Sequence, residues 1–157
     1  MPMAIYCVDT SSLIAAWQER YPIENFPSFW RKIEDLIKGG RLVAPIEVLH
    51  ETSKRSDDLY AWLKARNTAF YELDDEVQVA AAMVLGRFPR LVGERKLRTS
   101  ADPFVIAMAH VQELQIITDE KPTGSLARPN IPDVCAAMGM TWFGLLEMIR
   151  AEKWVIG

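Results

Sequence analysis

Ala4-Ile-Tyr-Cys-Val8, followed at once by Asp9-Thr10-Ser11-Ser12, decides how this chain is read. A short apolar run rich in β-formers reads as a buried central strand. It ends in a carboxylate and three hydroxyls, and a helical pattern follows. In open parallel sheets, ligands bind beyond the carboxyl ends of the strands, and Asp9 stands there. A carboxylate at the end of a buried strand needs partners. The backbone amides near Ser11 and Ser12 supply one answer, and further acids around a cation supply another.

Working outward, Leu13 to about Arg20 is helical, capped by Ser11 or Ser12 and stopped before Tyr21-Pro22. Pro27 opens a second helix with Phe29, Trp30, Ile33, Leu36 and Ile37 at helical spacing, and Gly39-Gly40 end it. Arg41-Leu-Val-Ala44 is a short strand, and Pro45 begins the next helix. Another helix runs from about Asp57 to Arg66, and residues 68–73 form a short extended link. Asp75 to about Arg87 is helical, and residues 89–100 read as a basic loop. Asp102-Pro103 opens a strong helix. Gln115-Ile-Ile-Thr118 is an apolar strand ending at Asp119, and 119–130 is a loop. Pro132 starts a short helix, Met140 to Phe143 is a peripheral strand, and Leu145 to Lys153 is a last helix. Strands alternating with helices predict an α/β fold: a doubly wound parallel sheet of four to five strands with helices on both faces, in one domain spanning 1–157.

The composition limits the function classes. At 157 residues, half of them apolar and a quarter charged, the chain resembles an ordinary globular domain with a real core. No apolar run approaches the ~20 residues that span a bilayer, and the N-terminus lacks the pattern of a signal peptide. The two cysteines, Cys7 and Cys135, sit in apolar segments and read as buried thiols in a reducing cytoplasm. With no CxxC or Cys/His cluster, and His50 and His110 as the only histidines, the sequence argues against a zinc site. The net charge of −3 gives no overall basic coat for nucleic acid. A local basic run, Arg87 to Arg98, includes Arg95, Lys96 and Arg98, which are candidates for phosphate contact.

The acids fall where the fold would gather them. Asp9 and Asp119 end two parallel strands and emerge on the same sheet edge. Glu47 and Glu51 lie one turn apart on the helix after the second strand. Asp102 begins the helix that feeds the strand ending at Asp119. Hard cations such as Mg²⁺ or Mn²⁺ take several oxygen ligands, and clustered carboxylates need a cation to stay ionised together. Such a site suits phosphodiester hydrolysis. Taken singly, each acid also has a plain explanation: Asp102 as a helix N-cap before proline, Glu47 and Glu51 as a solvated face, and Asp119 as a turn former.

Together these segments resemble the PIN domains. Val8-Asp9-Thr10-Ser11, Pro45-Ile-Glu-Val-Leu-His-Glu51, Ala101-Asp102-Pro-Phe-Val-Ile-Ala-Met-Ala109 and Ile117-Thr-Asp119 are similar, in order and spacing, to the four acidic motifs of that family of Mg²⁺- or Mn²⁺-dependent nucleases. The family includes the toxins of VapBC toxin–antitoxin pairs. Pro129-Asn-Ile-Pro-Asp-Val-Cys135 and Phe26-Pro-Ser-Phe-Trp30 look more like a less characterised bacterial PIN-like branch. The resemblance implies Asp9, Glu51, Asp102 and Asp119 as catalytic metal ligands, supported by Thr10 or Ser11, with Glu47 and Glu120 as neighbouring alternatives. It also implies a metal-activated water, cleavage of RNA, a homodimer and an antitoxin that covers the site. A phosphatase of the haloacid dehalogenase type would need an aspartate where Ser11 stands, and a Toprim-like nuclease would need a late DxD pair that is missing. The remaining rival keeps the fold as a non-catalytic module for RNA binding or protein assembly.

Overall fold

A computed structural model describes residues 5–92 and 100–157. The candidate phosphate-contacting residues Arg95, Lys96 and Arg98 lie outside the described residues. The described strands are β1 Tyr6–Val8, β2 Leu42–Pro45, β3 Phe70–Tyr71, β4 Gln115–Ile117 and β5 Trp142–Phe143. The described α-helices are α1 Thr10–Ala15, α2 Pro27–Lys38, α3 Ile46–Ser53, α4 Asp57–Lys64, α5 Asp75–Arg87, α6 Asp102–Gln112, α7 Ile131–Met138 and α8 Leu145–Glu152.

All strand pairs are parallel, in the order β3-β2-β1-β4-β5. Parallel crossovers are right-handed, so steps in opposite directions along the sheet place their helices on opposite faces. The run β1 to β2 to β3 therefore puts α1 to α4 on one face. The return to β4 and on to β5 puts α5 to α7 on the other. This is the doubly wound parallel α/β architecture that the alternating pattern predicts. The extended link at 68–73 turns out to carry the fifth strand. β3 is only two residues long, with Phe70 half-buried and Tyr71 exposed, so it had no apolar run to announce it.

β1 is buried on both sides, pairing Tyr6 with Leu42 and Cys7 with Val43 on one flank and Val8 with Ile117 on the other. The strand order reverses between β1 and β4, which is where open α/β sheets bind ligands. α6 runs back antiparallel to the strands, so its N-terminal residue Asp102 returns to the carboxyl edge of the sheet.

Two local features depart from the expected helices. Asp9 itself caps α1, its Oδ1 accepting from the Ser12 amide at 2.9 Å, so neither Ser11 nor Ser12 is the cap. The helix then widens into a π-helical segment, Ala16–Arg20, closed by the Tyr21 amide donating to the Ala16 carbonyl at 2.8 Å. Trp17 on this turn meets Trp30 edge-on at 4.9 Å and Trp62 at 6.2 Å, and Tyr21 stacks on Phe29 at 4.4 Å. The Trp-rich segment is thus an aromatic lid over the core. Arg66 lies 3.9 Å above the Trp62 ring and pairs with Glu34 at 3.1 Å. α8 is moored to β1 by Glu152, which accepts from both terminal guanidinium nitrogens of Arg41, at 2.8 and 3.0 Å, and from the Tyr6 hydroxyl.

Candidate metal centre

Asp9, Asp102 and Glu120 converge at the β1/β4 switch point. Carboxylate oxygens of the three lie within 4.8 Å of one another. Asp9 is 1% exposed and Asp102 8% exposed. Ala101, not Asp102, occupies the N-cap position of α6, and Asp102 is the first residue of the helix. Its side chain is therefore turned to the acid group and does not serve as the helix cap that its place before Pro103 suggested.

Asp9 is held by a symmetrical pair of relays. Ser11 Oγ donates to Asp9 Oδ2 at 2.8 Å and accepts from the Asp119 amide at 3.1 Å. Thr118 Oγ1 donates to the same Oδ2 at 2.5 Å and accepts from the Glu120 amide at 3.1 Å. Two hydroxyls thus bind the end of β1 to the chain leaving β4. Glu120 is fixed in turn by the Ile131 amide at the start of α7, which donates to its Oε1 at 2.9 Å.

The loop between them hangs on one residue, Asp133. Its carboxylate accepts from the Thr123 amide and hydroxyl, the Gly124 amide at 2.9 Å and the Asn130 amide at 2.8 Å. Burial raises its pKa, but these donors prevail and hold the carboxyl below its ordinary value.

Glu51 stands beside the group. Thr10 Oγ1 donates to it, and so does the Ala101 amide. Asp119 faces elsewhere, forming an ion pair with Arg20 at 2.8 Å. Glu47 is half-buried with Oε1 enclosed and unbonded. Of the residues singled out from sequence, the structure therefore gathers Asp9 and Asp102 with Glu120, sets Glu51, Thr10 and Ser11 around them, and turns Asp119 to Arg20. Thr118, Asp133 and Arg20 were not singled out. Only Asp133 left a readable sign, the Asn130-x-x-Asp133 spacing of a capping box.

The electrostatics record the crowding. Burial, then the charge of Asp102, pushes Asp9 up from 3.8 to about 6, against its three hydrogen-bond donors. Burial, then the charges of Asp102 and Asp9, pushes Glu120 up from 4.5 to about 8. Burial and Asp102 also raise Glu51, while Arg55 is close enough to draw it back down. Three convergent carboxylates with no nitrogen or sulfur donor among them match the ligand preference of a hard divalent cation. The same mutual repulsion is what such a cation would relieve.

A family model described as a domain of unknown function (DUF4411) matches residues 6–156. The chain belongs to that family. No curated protein matches it in sequence. Among solved structures, it is similar to the crystal structure of VapBC2 from Rickettsia felis bound to a DNA fragment from their promoter, at 12% identity and a TM-score of 0.50. That match covers 89% of this chain and 98% of the other. It is also similar to PAE2754 from Pyrobaculum aerophilum, at 17% identity and a TM-score of 0.44, covering 87% and 90%. At 12% identity the likeness to VapBC2 is one of fold. No helix among the described residues of this DUF4411 chain is long and apolar enough to cross a membrane.

Proposed function

We propose that this protein is a divalent-metal-dependent ribonuclease. The observation that carries the reading is the convergence of buried Asp9 and Asp102 with half-buried Glu120, within 4.8 Å, at the carboxyl edge of the sheet. These three residues would hold a Mg²⁺ or Mn²⁺ ion, and Glu51 lends a fourth carboxylate at the rim. Bound there, the ion would supply charge neutralisation at the phosphate and a lowered pKa for an attacking water. The protein's own contribution is positional. The Ser11 and Thr118 relays fix the Asp9 carboxylate, the Ile131 amide fixes Glu120, and Thr10 with the Ala101 amide fixes Glu51.

The motif resemblance supports RNA as substrate and a place among toxin–antitoxin toxins, with a homodimer and a covering antitoxin as the corresponding partners. The fold shared with VapBC2, which was crystallised on promoter DNA, is consistent with that placement.

The test is cleavage of single-stranded RNA with Mn²⁺ or Mg²⁺. Wild type is expected to cut, and chelator, Asp9→Asn and Asp102→Asn to abolish cutting. Full activity in both variants, or indifference to chelator, overturns the mechanism. A folded wild type that binds RNA or a protein partner but neither metal nor scissile phosphate returns the protein to the class of binding modules.

A further inference from the structure

Arg20 is a residue of the site region that the metal reading leaves without work. Its Nη1 lies 2.8 Å from Asp119 Oδ1, and its side chain is still 43% exposed. Asp119 is tied through its amide to Ser11, and Ser11 donates to Asp9. Guanidinium, Asp119, Ser11 and Asp9 therefore form one continuous chain of contacts that ends in the acid group.

We propose that Arg20 contacts a backbone phosphate of the nucleic-acid substrate, and that Asp119 is its positioning residue, outside the ion site. This rests on the nuclease reading above.

Four observations carry it. First, the placement depends on an uncommon backbone turn. Arg20 ends the π-helical segment Ala16–Arg20, and such segments are rare and frequent at functional sites. The same turn seats Trp17 against Trp30 and Trp62, so the aromatic packing fixes where Arg20 emerges. Second, a phosphodiester approaching several convergent carboxylates meets repulsion that one divalent ion only partly cancels. A cation at the rim is needed to draw it in. Third, a guanidinium carries five donors in a planar fork suited to phosphate oxygens. A part-exposed ion pair such as Arg20–Asp119 stabilises the fold little by itself, so sharing Arg20 with a phosphate sacrifices little. Fourth, the adjacent residues Asp119 and Glu120 face different partners. Glu120 joins Asp9 and Asp102, whereas Asp119 is engaged by Arg20. Asp119 is not among the convergent carboxylates, and its Oδ1 is committed to Arg20. A second arginine, Arg55, near enough to Glu51 to lower its pKa, adds positive charge beside the same group.

The experiment is fluorescence anisotropy of a fluorescein-labelled single-stranded oligoribonucleotide, with Ca²⁺ as the divalent ion, over a series of salt concentrations. Calorimetric titration of each variant with Mn²⁺ runs alongside. Arg20→Ala is expected to weaken oligonucleotide binding about tenfold and to flatten the salt dependence by about 0.7 in log–log slope, the value for one phosphate contact on a single strand. Its Mn²⁺ affinity should stay at the wild-type value, and Arg20→Lys should recover part of the binding. Asp119→Asn should raise KM more than it lowers kcat and leave Mn²⁺ affinity intact, whereas Glu120→Gln should lose Mn²⁺. Wild-type affinity and slope in Arg20→Ala overturn the proposal. So does an Asp119→Asn variant that loses Mn²⁺ as Glu120→Gln does, because Asp119 is then a ligand. A wild type that binds oligonucleotide but no Mn²⁺ overturns the nuclease reading, and the positioning role of Asp119 with it. A wild type that binds neither removes both.

Discussion

Asp9 does two tasks with one carboxylate: Oδ1 caps α1 through the Ser12 amide, and the group as a whole joins Asp102 and Glu120. The acid pattern was legible in the sequence because strand ends and helix starts fix where Asp9 and Asp102 must emerge. The choice between Asp119 and Glu120 was not. Both lie past the end of β4, where the alternation of a strand no longer dictates direction, and the choice is made by a contact 11 residues further on, the Ile131 amide on Glu120. Arg20 gave no signal, since its partner lies across the sheet edge. The raised pKa values make a pH prediction. Asp9 moves from 3.8 to about 6 and Glu120 from 4.5 to about 8. An acid whose folded pKa lies above its unfolded one stabilises the fold below the unfolded value, and that stability is lost as pH rises through the folded value. For Asp9 alone the rise corresponds to about 3 kcal/mol. Metal-free protein should therefore lose thermal stability between pH 5 and pH 8.5 by calorimetry. Asp102→Asn, which removes the charge common to both shifts, should flatten that decline and raise the metal-free Tm at pH 8. A Tm that climbs over this range in wild type would contradict the proposed crowding.

At the scale of elements, some helix boundaries were readable from local chemistry, as where Pro27 and Gly39 bound α2, whereas the caps of α1 and α6 were not. What local chemistry could not show was the π-helical turn. Nothing in Ala16–Arg20 forbids an ordinary α-helix, and it is the distant Trp30 and Trp62 that reward Trp17 for the wider turn. Trp30 is fully buried and its Nε1 donates to the Tyr21 carbonyl at 2.6 Å. Trp30→Ala should cost about 3–5 kcal/mol, a drop of roughly 6–20 °C in Tm for a chain of this size. The loop from β4 to α7 has its own keystone. Asp133→Ala removes the acceptor shared by Thr123, Gly124 and Asn130 and frees the chain between Glu120 and Ile131. Outer supports of this kind are worth about 10–100-fold in metal affinity. Calorimetry should show Mn²⁺ binding weakened at least tenfold in Asp133→Ala and largely kept in Asp133→Asn, which retains a carbonyl acceptor. Unchanged affinity in Asp133→Ala would mean that the loop does not position Glu120.

For the whole molecule, the parallel doubly wound sheet was legible because buried strands and amphipathic helices alternate along the chain. The strand order then does the rest. The reversal between β1 and β4 opens the carboxyl edge there, and α6, running back across the sheet, delivers Asp102 to the same place. The acids from β1, α6 and the β4 exit thus meet although they are far apart in sequence. A cation that binds only the folded state should stabilise the whole fold, by about 2.7 kcal/mol at a concentration 100 times Kd. The most direct measurement is calorimetric titration of the metal-free protein with Mn²⁺ at pH 7 in two buffers of different ionisation enthalpy. Saturable binding with proton release is predicted, because Glu120 with a pKa of about 8 is largely protonated before the ion arrives, and Glu120→Gln and Asp102→Asn should abolish it. Absence of binding, or binding that survives both substitutions, would contradict the account.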